Sequence, residues 1–170
     1  MPQGLKQSSS VVSIGFTVTE TAANTFNQAE IDLNLSPLDR EVFVVLAVNL
    51  DTFTPDNVAG ISTRVNSSVS TTRQVGVIDI NNSNCIAAQV LAIKQDPGGT
   101  DGVSFTSQAL ETPPATLEYI GIIATNDFFV QVAGAGNLAA KAVNGRMWGY
   151  RAVADASIYA ALVQSEVLSA

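Results

Sequence analysis

Three carboxylates, Glu111, Glu118 and Asp127, lie in and around the apolar segments "LEYIGIIAT" (117–125) and "DFFVQV" (127–132). Two such groups on either side of a bound sugar are the core of a glycoside hydrolase, so these are the residues a hydrolytic reading would use. The plainer expectation is solvated charge at strand ends. The rest of the catalytic inventory is thin. The sequence has no His, which removes Ser-His-Asp and Cys-His nucleophiles in their usual forms and every His-containing metal site. The single Cys85 can build neither a disulfide nor a thiolate metal centre, and its simplest role is that of a small buried apolar residue. "GAGN" (134–137) lacks the third Gly of a dinucleotide fingerprint and reads as a tight turn or exposed loop tip. The Asn/Asp-rich stretches "DINNSN" (79–84) and "DPGGTDG" (96–102) offer oxygen ligands for Ca²⁺, but neither has EF-hand spacing and both read first as turns. No cofactor, no metal and no catalytic residue is therefore expected.

The other candidates are aromatic. "GRMWGYRAVADASIYAALVQSEVL" (145–168) holds the only Trp and two of the three Tyr. If 146–154 is a strand, Arg146, Trp148, Tyr150, Ala152 and Ala154 share one face, and Met147, Gly149, Arg151 and Val153 share the other. Aromatics at i and i+2 make a flat row. Such a row can stack on sugar rings or fill a core or an interface, and packing is the expectation here. Arg146, Trp148, Tyr150 and, from "DFFVQV", Phe129 are the candidates for an interface or for ligand stacking.

The elements that must position these residues read mainly as strands. In "VVSIGFTVT" (11–19), Val12, Ile14, Phe16 and Val18 alternate with Ser13, Gly15, Thr17 and Thr19. "NQAEIDLNL" (27–35) repeats the pattern, and "SPLD" (36–39) follows with turn chemistry. "EVFVVLAVNL" (41–50) is apolar on both faces, with Val42, Val44, Leu46 and Val48 in one row and Phe43, Val45 and Ala47 in the other. Two-sided strands are typical of parallel α/β sheets, but those need crossover helices, and residues 60–80 show no helical period. The alternative is a sandwich whose outer faces are covered by loops, by a terminal helix or by a neighbouring subunit. "CIAAQVLAIK" (85–94) stays open between helix and strand. Residues 157–168 read as a helix capped by Asp155, with Ile158, Tyr159, Leu162 and Val163 in one stripe; a closing strand is the alternative. The expected fold is all-β: one domain over residues 1–170, an antiparallel β-sandwich of the single jelly-roll type with a short C-terminal helix.

Composition narrows the class. Charged residues make up 14% of the 170, against about 25% in ordinary soluble domains, while 46% are hydrophobic. A surface so poor in charge is either neutral and polar or buried against other copies. The net charge is −7 and the eight basic residues are scattered, which argues against a nucleic-acid surface. No run approaches the length of a membrane span, and "MPQGLKQSSS" is neither a signal peptide nor a basic arm.

The strand pattern over 11–19, 27–35, 41–50, 117–132 and 146–154 resembles that of the small single jelly-roll coat proteins of icosahedral viruses. The resemblance is one of architecture and not of motif. It implies a self-assembling capsid or capsid-decoration subunit, located in the virion, whose partners are copies of itself and other capsid proteins. Because no basic arm is seen, it implies a genome shielded by another layer, with no direct nucleic-acid contact. The alternative is a carbohydrate-binding or adhesin-like module using Trp148 and Tyr150.

Overall fold

Alternating and β-branched segments dominate the sequence, and strands dominate the structure. The computed structural model describes residues 2–98, 101–109 and 117–169. Among the described residues ten strands are followed by one helix: β1 (Leu5–Gln7), β2 (Val12–Thr19), β3 (Asn27–Asp32), β4 (Glu41–Thr52), β5 (Thr63–Ser70), β6 (Cys85–Gln95), β7 (Gly102–Ala109), β8 (Gly121–Ile123), β9 (Asp127–Ala135), β10 (Ala142–Ala154) and α1 (Ala156–Leu168). The ambiguous segment at 85–94 is thus a strand, and the chain closes with a helix.

All pairings are antiparallel. The first sheet runs β10-β4-β8, with β2 and β1 sharing the other side of β10. The second runs β3-β9-β5-β6-β7. Without β1 and β7, the orders β2-β10-β4-β8 and β3-β9-β5-β6 are the two four-stranded sheets of a jelly roll, with the chain crossing repeatedly between them. The fold class expected from the pattern is the one observed.

The main core lies between the sheets. Phe16, Phe43, Val45, Val48, Leu50, Val143 and Met147 of the first sheet meet Val65, Val69, Ala87, Phe128, Val130 and Val132 of the second. Phe16 and Phe128 meet edge to face across the gap, with ring centroids 5.7 Å apart. Toward one end, Thr52, Ser67 and Gln89 form a buried polar bridge: the Thr52 hydroxyl lies 2.6 Å from that of Ser67 and donates to Gln89 Oε1 at 2.5 Å.

One detail of β4 corrects the sequence reading. Trp148 faces Ala47 and Gly149 faces Val45, so Leu46 is an extra residue and the ladder shifts there. The bulge moves Val48 onto the inner face with Phe43 and Val45, whereas Val42, Val44 and Leu46 pack outward. Strict alternation had placed Val48 with the outward row.

Both outer faces are covered in part from within the chain. Over the first sheet, Ile158, Tyr159, Leu162 and Val163 of α1 lie on Leu5, Val42, Val44, Tyr150, Ala152 and Ala154. Asp155 sits at the helix start, but its side chain makes no capping bond. Over the second sheet the cover is polar. Gln131 donates to Ser70 Oγ at 2.7 Å and to Gln28 Oε1 at 2.9 Å and accepts from the Ser68 hydroxyl at 2.8 Å. Residues 71–84 lie across this network, with the Gln74 and Ile78 amides donating to Gln28 and Ser68.

At Gly149 there is no room between β10 and β4 for a side chain. A Cβ there would come within 2.4 Å of both Phe43 Cε1 and the Val44 carbonyl oxygen, whereas one at Gly121 would meet nothing within 4 Å. Gly149→Ala should cost roughly 2–3 kcal/mol in urea unfolding, because backbone must move, and Gly121→Ala less than about 0.5 kcal/mol.

Candidate interaction surface

Strand β10 positions the aromatic row by simple alternation, and the row faces away from the inter-sheet core. Its inward residues are Met147, fully buried, and Gly149, against Phe43. Its outward residues run from covered to open. Tyr150, Ala152 and Ala154 are buried under α1, Trp148 is half-buried between Ser13 and Ala47, and Arg146 is exposed between Gly15 and Asn49. Tyr150 is 8% exposed, and burial first, then Glu118 and Tyr119, pushes its phenol above the usual range. Trp148 and Arg146 are therefore the accessible part of the row.

Phe129 belongs to the other sheet. It lies buried on the outer face of β9, with the Arg73 guanidinium 5.2 Å from its ring centroid, and Arg73 in turn pairs with Glu30 at 2.6 Å. The structure does not bring Phe129 together with Trp148 and Tyr150.

The three carboxylates also separate. Glu111 lies outside the described residues. Glu118 is exposed beside Tyr150. Asp127, opposite Asp32 at the start of β9, has its carboxyl pushed up by burial, then by Glu30, to which it is hydrogen-bonded. Among the described residues no group of three or more Cys, Asp and Glu side chains is placed to hold a metal ion. In the 79–84 turn the Asn84 amide nitrogen donates to Thr72 Oγ1 and to the Ser169 carbonyl, tying the turn to the end of α1. The 96–102 loop lies partly outside the described residues. Cys85 is half-buried, less enclosed than its residue type suggested, and burial followed by Asp79 pushes its thiol up to about 11.

Two features go beyond the sequence reading. "GAGN" is no loose tip: Asn137 is 5% exposed and organises one end of the sandwich. Its side chain accepts from the Asp56 amide and donates to the Arg64 carbonyl, while its own amide donates to Asn24 Oδ1. Asp56 accepts from the Leu138 and Ala139 amides and pairs with Lys141 at 2.6 Å. Glu20, 4% exposed, accepts from the Gly134 and Lys141 amides. Three loops are locked together in this way.

The second feature is β7. Among the described residues it pairs only with β6, and its far side meets no further strand there. Its sequence, GVSFTSQA, has no charge and no Pro, and Val103 and Phe105 are 59% and 56% exposed. Protein edges are ordinarily blunted by Lys, Pro, bulges or short length. The β3 edge carries Glu30 and Asp32, and β8 is three residues long. Strand β2, VSIGFTVT, is the other uncharged eight-residue edge, with Val11 and Val12 exposed, at the opposite side of the sandwich.

No family model matches the sequence, and no curated protein matches it either. Solved structures similar to it include chimpanzee polyomavirus VP1 in its apo form (TM-score 0.46, 7% identity, covering 88% of this chain and 99% of that one). Merkel cell polyomavirus VP1, as an unassembled pentamer, gives a TM-score of 0.43 at 7% identity over 86% and 96% of the two chains. A chain of desmodium yellow mottle tymovirus gives 0.31 at 10% identity over 92% and 96%. At this level of similarity the strand connectivity above, and not the likeness, defines the fold. No helix among the described residues is long and apolar enough to cross a membrane.

The seat of α1 carries a titratable group. Glu166 is 7% exposed and accepts from the Ala124 amide at 2.8 Å and the Thr125 hydroxyl at 2.6 Å, and burial holds its carboxyl above the ordinary 4.5. A raised acid favours the protonated fold, so its contribution is fully present below about pH 4.5 and is lost as pH rises through the raised value. Glu166→Gln should therefore gain melting temperature relative to the parent protein as pH is taken from 4 to 7, with the two curves closest at the acid end.

Proposed function

We propose that this chain is a self-assembling structural protein, a subunit of a viral capsid or of its decoration layer, joined to further copies through its open strand edges. The observation that carries the reading is the pair of uncharged eight-residue edges, β2 and β7, on opposite sides of one jelly roll. A long, flat, apolar edge left unprotected is a template for another strand. Two different edges on opposite sides are what a head-to-tail contact needs, and such contacts close into rings and shells when the rotation permits. Jelly rolls occur in capsid, lectin and cupin domains, so the fold alone does not choose between these uses.

The composition supports the same reading. Large apolar side chains stand in solvent at turns and at the helix end, including Leu38 at 95%, Val75 at 101% and Leu138 at 77%. Single exposures of this kind are ordinary, but here they accompany a surface unusually poor in charge. Trp148 and Arg146 provide a further contact on the first sheet's outer face. With net charge −7, the partners are other copies and other shell proteins in the virion rather than nucleic acid. No catalytic step is assigned.

Sedimentation velocity and negative-stain microscopy of the purified chain test this. Rings, shells or other closed assemblies are expected at protein concentrations of about 10–100 µM. Val103→Lys with Phe105→Lys, which puts charge on the edge, should leave the melting temperature nearly unchanged and shift the population to small species. A parent protein that stays monomeric throughout that range would falsify the proposal. A monomer that binds a glycan through Trp148 would put the carbohydrate-binding alternative in its place.

A further inference from the structure

A second feature, independent of assembly, lies on the outer face of the second sheet. Of the eight basic residues, Arg73, Lys141 and Arg151 are ion-paired with Glu30, Asp56 and Glu41. Arg64 and Lys94 have no ion-pair partner among the described residues, although the chain carries 15 acidic residues. The sheet nevertheless sets the two cations side by side. Arg64 stands opposite Ala92 across β5 and β6, and Lys94 follows Ala92 by two positions on the same face. Such diagonal neighbours are about 7–8 Å apart, close enough for like charges to repel. Asp96, the nearest acid in sequence, pairs with neither.

Between them is an open concavity of about 250 Å³, lined by Ser62, Thr63, Arg64, Ala92, Lys94 and Ala135. Small side chains at Ala92 and Ala135 leave the space, and a donor stands at its rim. The Ser62 Oγ accepts the Gln95 amide at 3.2 Å, which leaves its own proton free to donate. The Thr63 hydroxyl is already committed to the Asp56 carbonyl at 2.6 Å. Ser62 is held in place from behind by the β9–β10 turn. Gly136, at φ 74°, approaches so closely that a Cβ there would lie 2.9 Å from the Ser62 carbonyl oxygen.

We propose that this concavity is a binding site for a small oxyanion: a carboxylate, sulfate or phosphate group. The Arg64 guanidinium offers paired N–H donors to two oxygens of the anion, the Lys94 ammonium adds a compact charge, and the Ser62 hydroxyl supplies a further donor. A bound anion between the two cations offsets their mutual repulsion.

The test is isothermal titration calorimetry of the full chain with sodium sulfate, sodium phosphate and sodium acetate, each against sodium chloride at matched ionic strength. One-site, saturable binding of at least one of the three is expected. It should weaken by about tenfold or more in Arg64→Ala and in Lys94→Ala, and be unchanged in Lys6→Ala, an exposed cation on the first sheet. All three side chains are exposed, so the melting temperatures should match that of the parent protein. The acetate arm against the sulfate and phosphate arms separates a planar from a tetrahedral occupant. No saturable binding of any of the three, or binding that survives the Arg64→Ala/Lys94→Ala double variant, overturns the proposal.

Discussion

Strand β4 carries apolar side chains on both of its faces, so any structure that holds it must supply two covers. Burial of each such side chain contributes roughly 1.5–3 kcal/mol, and the strand has six of them fully or nearly fully enclosed: Val42, Phe43, Val44, Val45, Val48 and Leu50. The second sheet covers Phe43, Val45, Val48 and Leu50, and α1 covers Val42 and Val44. The bulge at Leu46 lets one strand serve both, because it resets which residues point inward midway along. The close approach at Gly149 keeps β10 against this bent strand. Glu166 then fastens the far end of α1 onto the β8–β9 connection.

These covers reach much of the two outer faces but not the edges of the sheets. The second sheet solves its outer face differently, with Gln131, Gln28, Ser68 and Ser70 bonded to one another beneath residues 71–84. Charge, short length and the polar loop end deal with much of the perimeter. Strands β2 and β7 are left uncharged along eight residues each. The proposed assembly rests on this contrast: much of both outer faces is covered from within, while two long uncharged edges meet no further strand among the described residues.

Period-two alternation in residues 11–19 and 27–35 and the double-faced run at 41–50 carried the sheet architecture, and the stripe Ile158, Tyr159, Leu162 and Val163 carried the helix and the face it buries. What alternation cannot express is a bulge, so it groups Val48 with Val42, Val44 and Leu46; nor does it say which of the two faces of β10 turns toward the core. The hub at Asn137 depends on contacts with residues as distant as Asn24 and Asp56, which no local pattern encodes. Strand β7 has a local signal, Val103 and Phe105 alternating with Ser104 and Thr106, but it is short and follows directly on a Gly-rich loop. The pairing of Arg64 with Lys94 follows from register alone and becomes visible only once β5 and β6 are aligned.

Hydrogen exchange of the backbone amides in β7, read by mass spectrometry on dilute and on assembled protein, tests the central claim most directly. An open edge used for assembly predicts that the outward amides of Gly102–Ala109 exchange rapidly in the dilute protein and become protected on assembly, in step with those of β2, while the inter-sheet core at Val45 and Val130 is protected in both. Assemblies that form with β7 exchange unchanged would contradict the account, as would a β7 edge already fully protected in the monomer.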